Sequence, residues 1–477
     1  MGLDNALDSG IRARDDPGVQ ARLTPKDVMR TVVVGAGPTG LYVGAALARR
    51  GHPVTVVDRD AGPAADGSWD RRGVMQFHHP HGFRPQVGDA LRAELPEAWD
   101  DLLAAGAEPA LVPGPPGQPE RVAGLRCRRL TFERVLRAAA ERQPGLTLRI
   151  GHAEEVRTER GRAVGVRVDG ADEPADLVVD ASGRAGRLGR ELRAPAEGGD
   201  CGLAYVSRQY QLHPGAELGP MNSPIGMVSF YPGYLTIVFP HDNGVFSTLI
   251  ARPSTDREMA GLRHTAAFDA AAAAIPPLAA WTDPQRARPL TDVLPGGRLY
   301  NSYQGQIDES GRVPVPGLVF VGDAVCTTNP AAGRGIALSL MQARELVRLL
   351  DADTDDLVGC ATAFDGWCAE HIRPWFADHV LTDTEQARRW AGADIDPAGP
   401  LPSDLIVAAT EADPSMMRMV GPYLAMQALP ASLADVRERA REIYASGWRP
   451  PTPPGPSRDE LVELLAAVVP DGPQTLR

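Results

Sequence analysis

The chain has 477 residues, 43% hydrophobic and 23% charged, ordinary proportions for a globular protein with room for roughly two or three domains and their cores. A net charge of −12 argues against non-specific nucleic-acid binding, no run approaches the about 18 apolar residues of a membrane span, and the start lacks a signal peptide's apolar stretch. The expectation is a cytoplasmic protein, and its five cysteines, Cys127, Cys201, Cys326, Cys360 and Cys368, lack metal or redox spacing and read as reduced, mostly buried thiols.

Residues 1–29 read as a mobile polar tail. The β-branched run Thr31–Val34 then leads at once into GAGPTG, residues 35–40, and the apolar, alanine-rich stretch 41–48: strand, tight turn, helix. Gly35 allows the turn, Gly37 lets backbone approach a pyrophosphate, and Gly40 lets helix and strand pack closely, with Pro38 and Thr39 between them. The pyrophosphate would rest on the positive N-terminus of the helix. A second strand, 54–57, ends in Asp58, near the expected spacing of about 20 residues, where a carboxylate accepts from adenosine ribose hydroxyls and repels a 2′-phosphate. Arg59, beside it, is counted with the cofactor-binding residues.

Histidines crowd the next segment at His78, His79 and His81. With no acid or cysteine partner nearby in sequence, they do not read as metal ligands; His79 and His81 are the candidates for polar catalytic groups at the substrate or cofactor edge, the alternative being histidines that hydrogen-bond a loop. Residues 196–299 alternate apolar stretches at 203–212, 227–231, 234–239 and 245–250, a strand-rich insert expected to cover a substrate, with Tyr210, Tyr231 and Tyr234 as core or sheet-face aromatics.

A buried strand at 318–321 is followed by Gly322-Asp323-Ala324, then Asn329, Pro330, Gly333 and Gly335, then a helix with apolar residues at Ile336, Leu340, Ala343, Val347 and Leu350. Asp323 could hydrogen-bond a ribityl chain, and amides from Gly333 to Ile336 would aim a helix N-terminus at a flavin's N1 and C2 carbonyl, stabilising the anion formed on reduction. A plain NAD enzyme has no use for this second motif, so the pair of motifs reads as the two ends of one bound FAD. Residues 351–477 read as helical, interrupted by a proline-rich linker at 449–456.

GAGPTG with Asp58, the GDA segment followed by NPAAGRG, and DLVVDASGR at 176–184 together resemble the FAD-dependent monooxygenase superfamily, built on the glutathione-reductase-type dinucleotide fold, over most of residues 30–350. Within it, RRGVMQFHHPH at 71–81 is similar to a segment of actinobacterial epoxidase-like and hydroxylase-like members, with Met75 where proline is usual. RLTFE at 129–133 resembles the stretch whose arginine contacts FAD. The resemblance thus adds Arg71, Arg129 and the backbone of Val156, at the adenine, to the cofactor set, and puts Pro330 and Gly333 beside flavin C4a.

It implies an α/β fold: a Rossmann-like FAD-binding domain from residues 30–80, 120–195 and 300–350, an inserted mixed β-sheet substrate domain from 81–119 and 196–299, and a C-terminal helical region, 351–477. The implied activity is transfer of one oxygen atom from O2 to an apolar small molecule, hydroxylation or epoxidation through a C4a-hydroperoxide, in bacterial secondary metabolism such as antibiotic biosynthesis. Aromatic hydroxylases of the superfamily carry an Asp-Gly pair where this chain has Asp180-Ala181-Ser182-Gly183, so the reductant stays open between NADPH or NADH bound transiently and a partner flavin reductase. The segment 233–244 looks like one shared with prenyl-type reductases, which keeps an FAD-dependent dehydrogenase or reductase as the alternative, with a non-catalytic FAD-binding protein behind it. Halogenases of similar type need a lysine between flavin and substrate; the one lysine, Lys26, lies before the first strand, and their tryptophan motif is absent.

Overall fold

The computed structural model describes residues 28–468 apart from 72, 115, 116 and 118; the expected tail up to residue 27, Lys26 included, falls outside these residues. Five parallel strands form the central sheet, in the order Leu318–Phe320, Leu177–Asp180, Thr31–Val34, Val54–Asp58 and Leu146–Ile150. The first strand and Leu177–Asp180 are buried along their whole length, as strands covered by helices on both faces must be. From Thr31–Val34 the chain builds outward through Val54–Asp58 and returns on the other side at Leu177–Asp180. Such a reversal opens a crevice at the carboxyl ends of the strands, where ligands bind in open α/β sheets.

Helix Pro38–Arg49 starts with proline at its first position, where the fixed φ suits a helix and the missing N–H has no intrahelical partner to lose. It is buried from Gly40 to Ala48 between the sheet and helices Arg129–Glu141 and Gly335–Ala352. Three antiparallel strands, Ala153–Glu159, Arg162–Val168 and Ala171–Pro174, form a small separate sheet.

A second large sheet is antiparallel: Met227–Tyr231, Tyr234–Pro240, Val245–Pro253, Leu203–Leu212 and Ala287–Pro289 in that order, with Leu294–Gly296 also pairing with Leu203–Leu212. Its two faces divide as a period of two requires. Tyr210, Tyr234, Val238, Phe246 and Ile250 pack in one core with helices Thr265–Ala274, Pro276–Thr282 and Arg458–Val468. Tyr205, Leu235, Ile237, Phe239 and Leu249 form another, against which Ala331 packs. Tyr210, Tyr231 and Tyr234 are buried aromatics, as expected, with Tyr231 and Tyr234 stacked at 4.4 Å between ring centroids.

The mixed α/β architecture matches the expectation, and two segments sit differently from it. Residues 81–119 are expected with the second sheet, yet helices Pro85–Glu94 and Pro96–Ala104 pack on Gly335–Ala352 and Arg129–Glu141, and Tyr42 of the first helix donates to the Ala90 carbonyl at 3.1 Å. The hairpin Glu108–Val112 and Arg121–Arg126 leans toward the second sheet, through Ala110, and Asn243, between two strands of that sheet, donates to the Ala105 carbonyl at 2.9 Å. The last helix, Arg458–Val468, leaves the C-terminal helical region: Leu461 and Leu465 complete the core of the second sheet's outer face.

Candidate cofactor and active site

The two glycine motifs meet. A Cβ on Gly322, whose φ of +72° already favours glycine, would lie 2.8 Å from the Thr39 hydroxyl oxygen, so Gly322 and Thr39 are in direct contact although far apart in the chain. A Cβ on Gly40 would fall 1.8 Å from the Gly35 carbonyl oxygen, and one on Gly35 would fall 2.5 Å from the Ala181 carbonyl oxygen. Gly37 and Gly335 are the opposite case: a Cβ on either meets nothing within 4 Å. Those two glycines face open space at the starts of two helices, one opening with Pro38 and the other with Gly335 itself, followed by Ile336. That is the cradle an anionic dinucleotide needs.

Asp58 closes the carboxyl end of its strand and holds the glycine loop. One of its oxygens accepts from Ala36 N–H at 2.6 Å and from Arg71 at 2.7 Å, the other from Asp60 N–H at 2.9 Å. A carboxylate offers about four lone-pair sites, which leaves about one for a ribose hydroxyl. Arg71 is buried, donates to the Ala36 carbonyl at 3.1 Å and also pairs with Glu133. Burial opposes its charge, but Glu133 and Asp58 outweigh it and hold the guanidinium above its ordinary pKa. Glu133 in turn accepts from Arg129. Arg59 is exposed on the same segment, its guanidinium 3.1 Å from where a Gly73 Cβ would stand. Val156 lies opposite Val166 in the small sheet, whereas the residue of that segment bonded to Asp58 is Gly151, whose N–H donates to the Asp58 carbonyl at 2.9 Å.

Asp323 faces a narrow cleft lined also by Asp180, Arg184, Arg193, Tyr300 and Thr327. Among the described residues its carboxylate has one donor, the Ser339 hydroxyl, at a long 3.5 Å. Burial raises its pKa, against the pull of Arg129 and Arg184. A carboxylate so poorly supplied with donors fits the hydroxyls of a ribityl chain. Asp180, at the end of the neighbouring strand, is buried and takes both the N–H (2.9 Å) and the hydroxyl of Ser182. Sequence reading missed Glu133, Arg84 and Arg193: a buried arginine carries no local signature, and Glu133 looks like any acid on an amphipathic helix.

The loop 329–334 runs from the strand Cys326–Thr327 into the helix Gly335–Ala352, with Ala331 against the second sheet. Pro330 starts a 3-10 turn ending at Gly333, which adopts a left-handed φ of +62°. A Cβ there would come 3.3 Å from Gly82 Cα, so the histidine segment and the loop are in backbone contact. Arg84 donates to the Ala332 carbonyl at 2.7 Å and the Leu424 carbonyl at 3.2 Å, while Arg334 reaches Asp378 at 3.0 Å and the Tyr423 hydroxyl at 2.6 Å. Burial, then the charge of Arg334, lowers the Arg84 pKa to about 10.

His81 precedes Gly82, which touches this loop, while His79 lies against the second sheet at Ser207 and Tyr205, and burial disfavours the charged form of both. His79 Nδ1 is 2.7 Å from the Ser207 hydroxyl, and burial lowers its pKa to about 4. His81 Nδ1 lies 2.9 Å from the His79 carbonyl, which makes it the donor; its Nε2, 3.4 Å from an Arg129 N–H, is then the acceptor. Burial, then Arg129, holds His81 well below its ordinary range. Both nitrogens of His81 are engaged in this arrangement.

Residues 30–114 match the family model described as "FAD dependent oxidoreductase". Protein Rv3254 of Mycobacterium tuberculosis is 28% identical over 449 residues, spanning 82% of this chain and 87% of that one. Among solved structures, a triple mutant of the flavin-dependent brominase Bmp2 covers 88% of this chain and 100% of its own at 15% identity and a TM-score of 0.59. PqsL of Pseudomonas aeruginosa, described as a probable FAD-dependent monooxygenase, covers 76% of this chain and 98% of its own at 16% identity and a TM-score of 0.56. The chain therefore has the fold of FAD-dependent monooxygenases and halogenases, in agreement with the superfamily resemblance and with an FAD-dependent oxidoreductase.

Proposed function

We propose that this chain is an FAD-dependent monooxygenase that places one oxygen atom from O2 on an apolar small molecule, by hydroxylation or epoxidation. The observation that carries the reading is the apolar face of the second sheet, Leu235, Ile237, Phe239 and Leu249, packed with Ala331 of the loop that continues into the Gly335 helix. An electron-rich, apolar substrate would bind between that face and the flavin edge, where few water molecules compete for a reactive oxygen. When bound, FAD supplies the redox chemistry: it takes a hydride or electron pair and activates O2.

The chain's own residues do the rest. The N–H groups of Gly37, Thr39 and Gly40 and the helix behind them would neutralise the pyrophosphate, with Asp58 holding the Ala36 N–H and Arg71 the Ala36 carbonyl. Asp323 would take ribityl hydroxyls, and the N-terminus at Gly335 and Ile336 would favour negative charge on the flavin's pyrimidine edge. His79 and His81, uncharged near neutral pH, would line the site as fixed hydrogen-bonding groups that keep cationic charge away from an apolar substrate. The resemblance of residues 71–81 supports a role in bacterial secondary metabolism. NADPH or NADH, or a partner reductase, would deliver the electrons.

The test is reduction of the purified flavoprotein without oxygen, followed by isotopically labelled O2 and a panel of aromatic and alkene substrates. Label in a product, with a transient absorbing to the blue of oxidised flavin, is the expected result. Reoxidation without label in any product would favour the dehydrogenase or reductase. Halogenation also fits the fold of the brominase, but the chain's one lysine, Lys26, precedes the first strand; halide in the same assay should leave no halogenated product.

A further inference from the structure

Asp383 lies on the helix Arg373–Trp390, far in sequence from either cofactor motif and outside the cleft lining. The residue is 9% exposed. One oxygen accepts from Asn301 Nδ2 and the other from Asn329 Nδ2, both at 2.7 Å. The arrangement continues in one direction only. With its N–H groups committed to the carboxylate, Asn301 turns its oxygen to the Asn329 N–H (2.7 Å), and Asn329 turns its oxygen to the Ala331 N–H (3.0 Å).

An ionised carboxylate is expensive to bury, and here its hydrogen-bonding partners are two carboxamides and the Cys201 thiol rather than arginine. What it supplies that an amide cannot is two acceptors and no donor, which decides which way both asparagines face. Reverse either asparagine and an N–H meets an N–H at the start of the 3-10 turn Pro330–Ala332, which leads to the left-handed Gly333. We infer that Asp383 is a positioning residue for the flavin-edge loop: acting through Asn301 and Asn329, it fixes the backbone of residues 329–333. The role at the flavin rests on the monooxygenase reading above; the fixing of the loop does not.

D383N places a donor opposite a donor. In the apoprotein, amide exchange over residues 329–333 should quicken about tenfold or more, as loss of a charge-assisted hydrogen bond implies. In the holoprotein the flavin midpoint potential should fall, since a looser helix start stabilises the reduced anion less. N329D/D383N restores complementarity, with the new amide donating to the new carboxylate while that carboxylate still accepts from Ala331 N–H. It should return both exchange and potential close to wild type. Unchanged exchange in D383N overturns the inference, and so does loss in D383N without recovery in the double variant, which would mark a merely structural acid. If D383N does not fold, recovery of folding and wild-type exchange in the double variant supports the inference, and failure of the double variant overturns it. Exchange in the apoprotein decides the matter for Asp383 whether or not labelled oxygen reaches a product.

Discussion

At the scale of single residues, the cofactor reading is sharpest at Asp323. Among the described residues its carboxylate has only the 3.5 Å contact with Ser339, although burial already raises its pKa. Bound FAD would supply the missing donors, so Asp323→Ala should weaken FAD binding by about 2 kcal/mol, roughly thirtyfold, on the usual strength of a hydrogen bond to a charged group. Titration of the apoprotein with FAD, followed by flavin fluorescence, measures this; equally tight binding would remove Asp323 from the site. Gly322→Ala makes the complementary point, because it meets both a left-handed φ of +72° and the Thr39 hydroxyl at 2.8 Å. That variant should lose flavin through distortion of the place where the two motifs touch, and a variant that purified with full flavin would show the contact to be soft.

At the scale of elements, what could be read from sequence depended on how local the signal was. Strand, turn and helix at 31–49 and again at 318–352 follow from β-branched runs, glycines and helical spacing, and both elements appear as expected. Helices Pro85–Glu94 and Pro96–Ala104 show that an amphipathic stretch reveals a buried face but not its partner, so their packing on the nucleotide side was illegible. Asp383 was illegible for a related reason: its meaning lies in Asn301 and Asn329, which only the fold brings to it. The last helix is the clearest case. A proline-rich stretch promises a linker, but not that Tyr231 and Tyr234 donate to the carbonyls of Pro454 (3.1 Å) and Pro456 (2.7 Å) and so fasten it across the second sheet. Leu461 is fully buried there, and Leu461→Ala should cost about 2–5 kcal/mol of stability through lost apolar burial and the cavity left behind. Urea denaturation monitored by tryptophan fluorescence tests it; a loss below about 1 kcal/mol would mean that the helix is not part of that core.

At the scale of the whole molecule, the buried histidines set the response to pH. His79 and His241 are pushed down to about 4 by burial, and His81 and His379 lie well below their ordinary range for the same leading reason. Their unfolded pKa is about 6.5, so as pH falls below that the unfolded chain takes protons the folded chain refuses, and stability drops. Asp383 works the other way. Burial raises its pKa to about 6, so between about pH 6 and the unfolded carboxylate value near 4 the folded state binds the extra proton and gains stability on acidification. Burial lowers His52 and His78 too, and raises Asp180 and Asp323 as it does Asp383, so six histidines stand against three carboxyls. The histidines outnumber the carboxyls, so the net stability of the apoprotein should be on the order of 3 kcal/mol lower at pH 5 than at pH 7. Urea midpoints at the two values read this directly: a clear fall toward pH 5 is expected, and a flat or rising midpoint would mean that the histidines accept protons inside the fold. Protonated histidines would also end the argument that neutral imidazoles keep cationic charge away from an apolar substrate, so a measurement of stability bears on the chemistry proposed for the site.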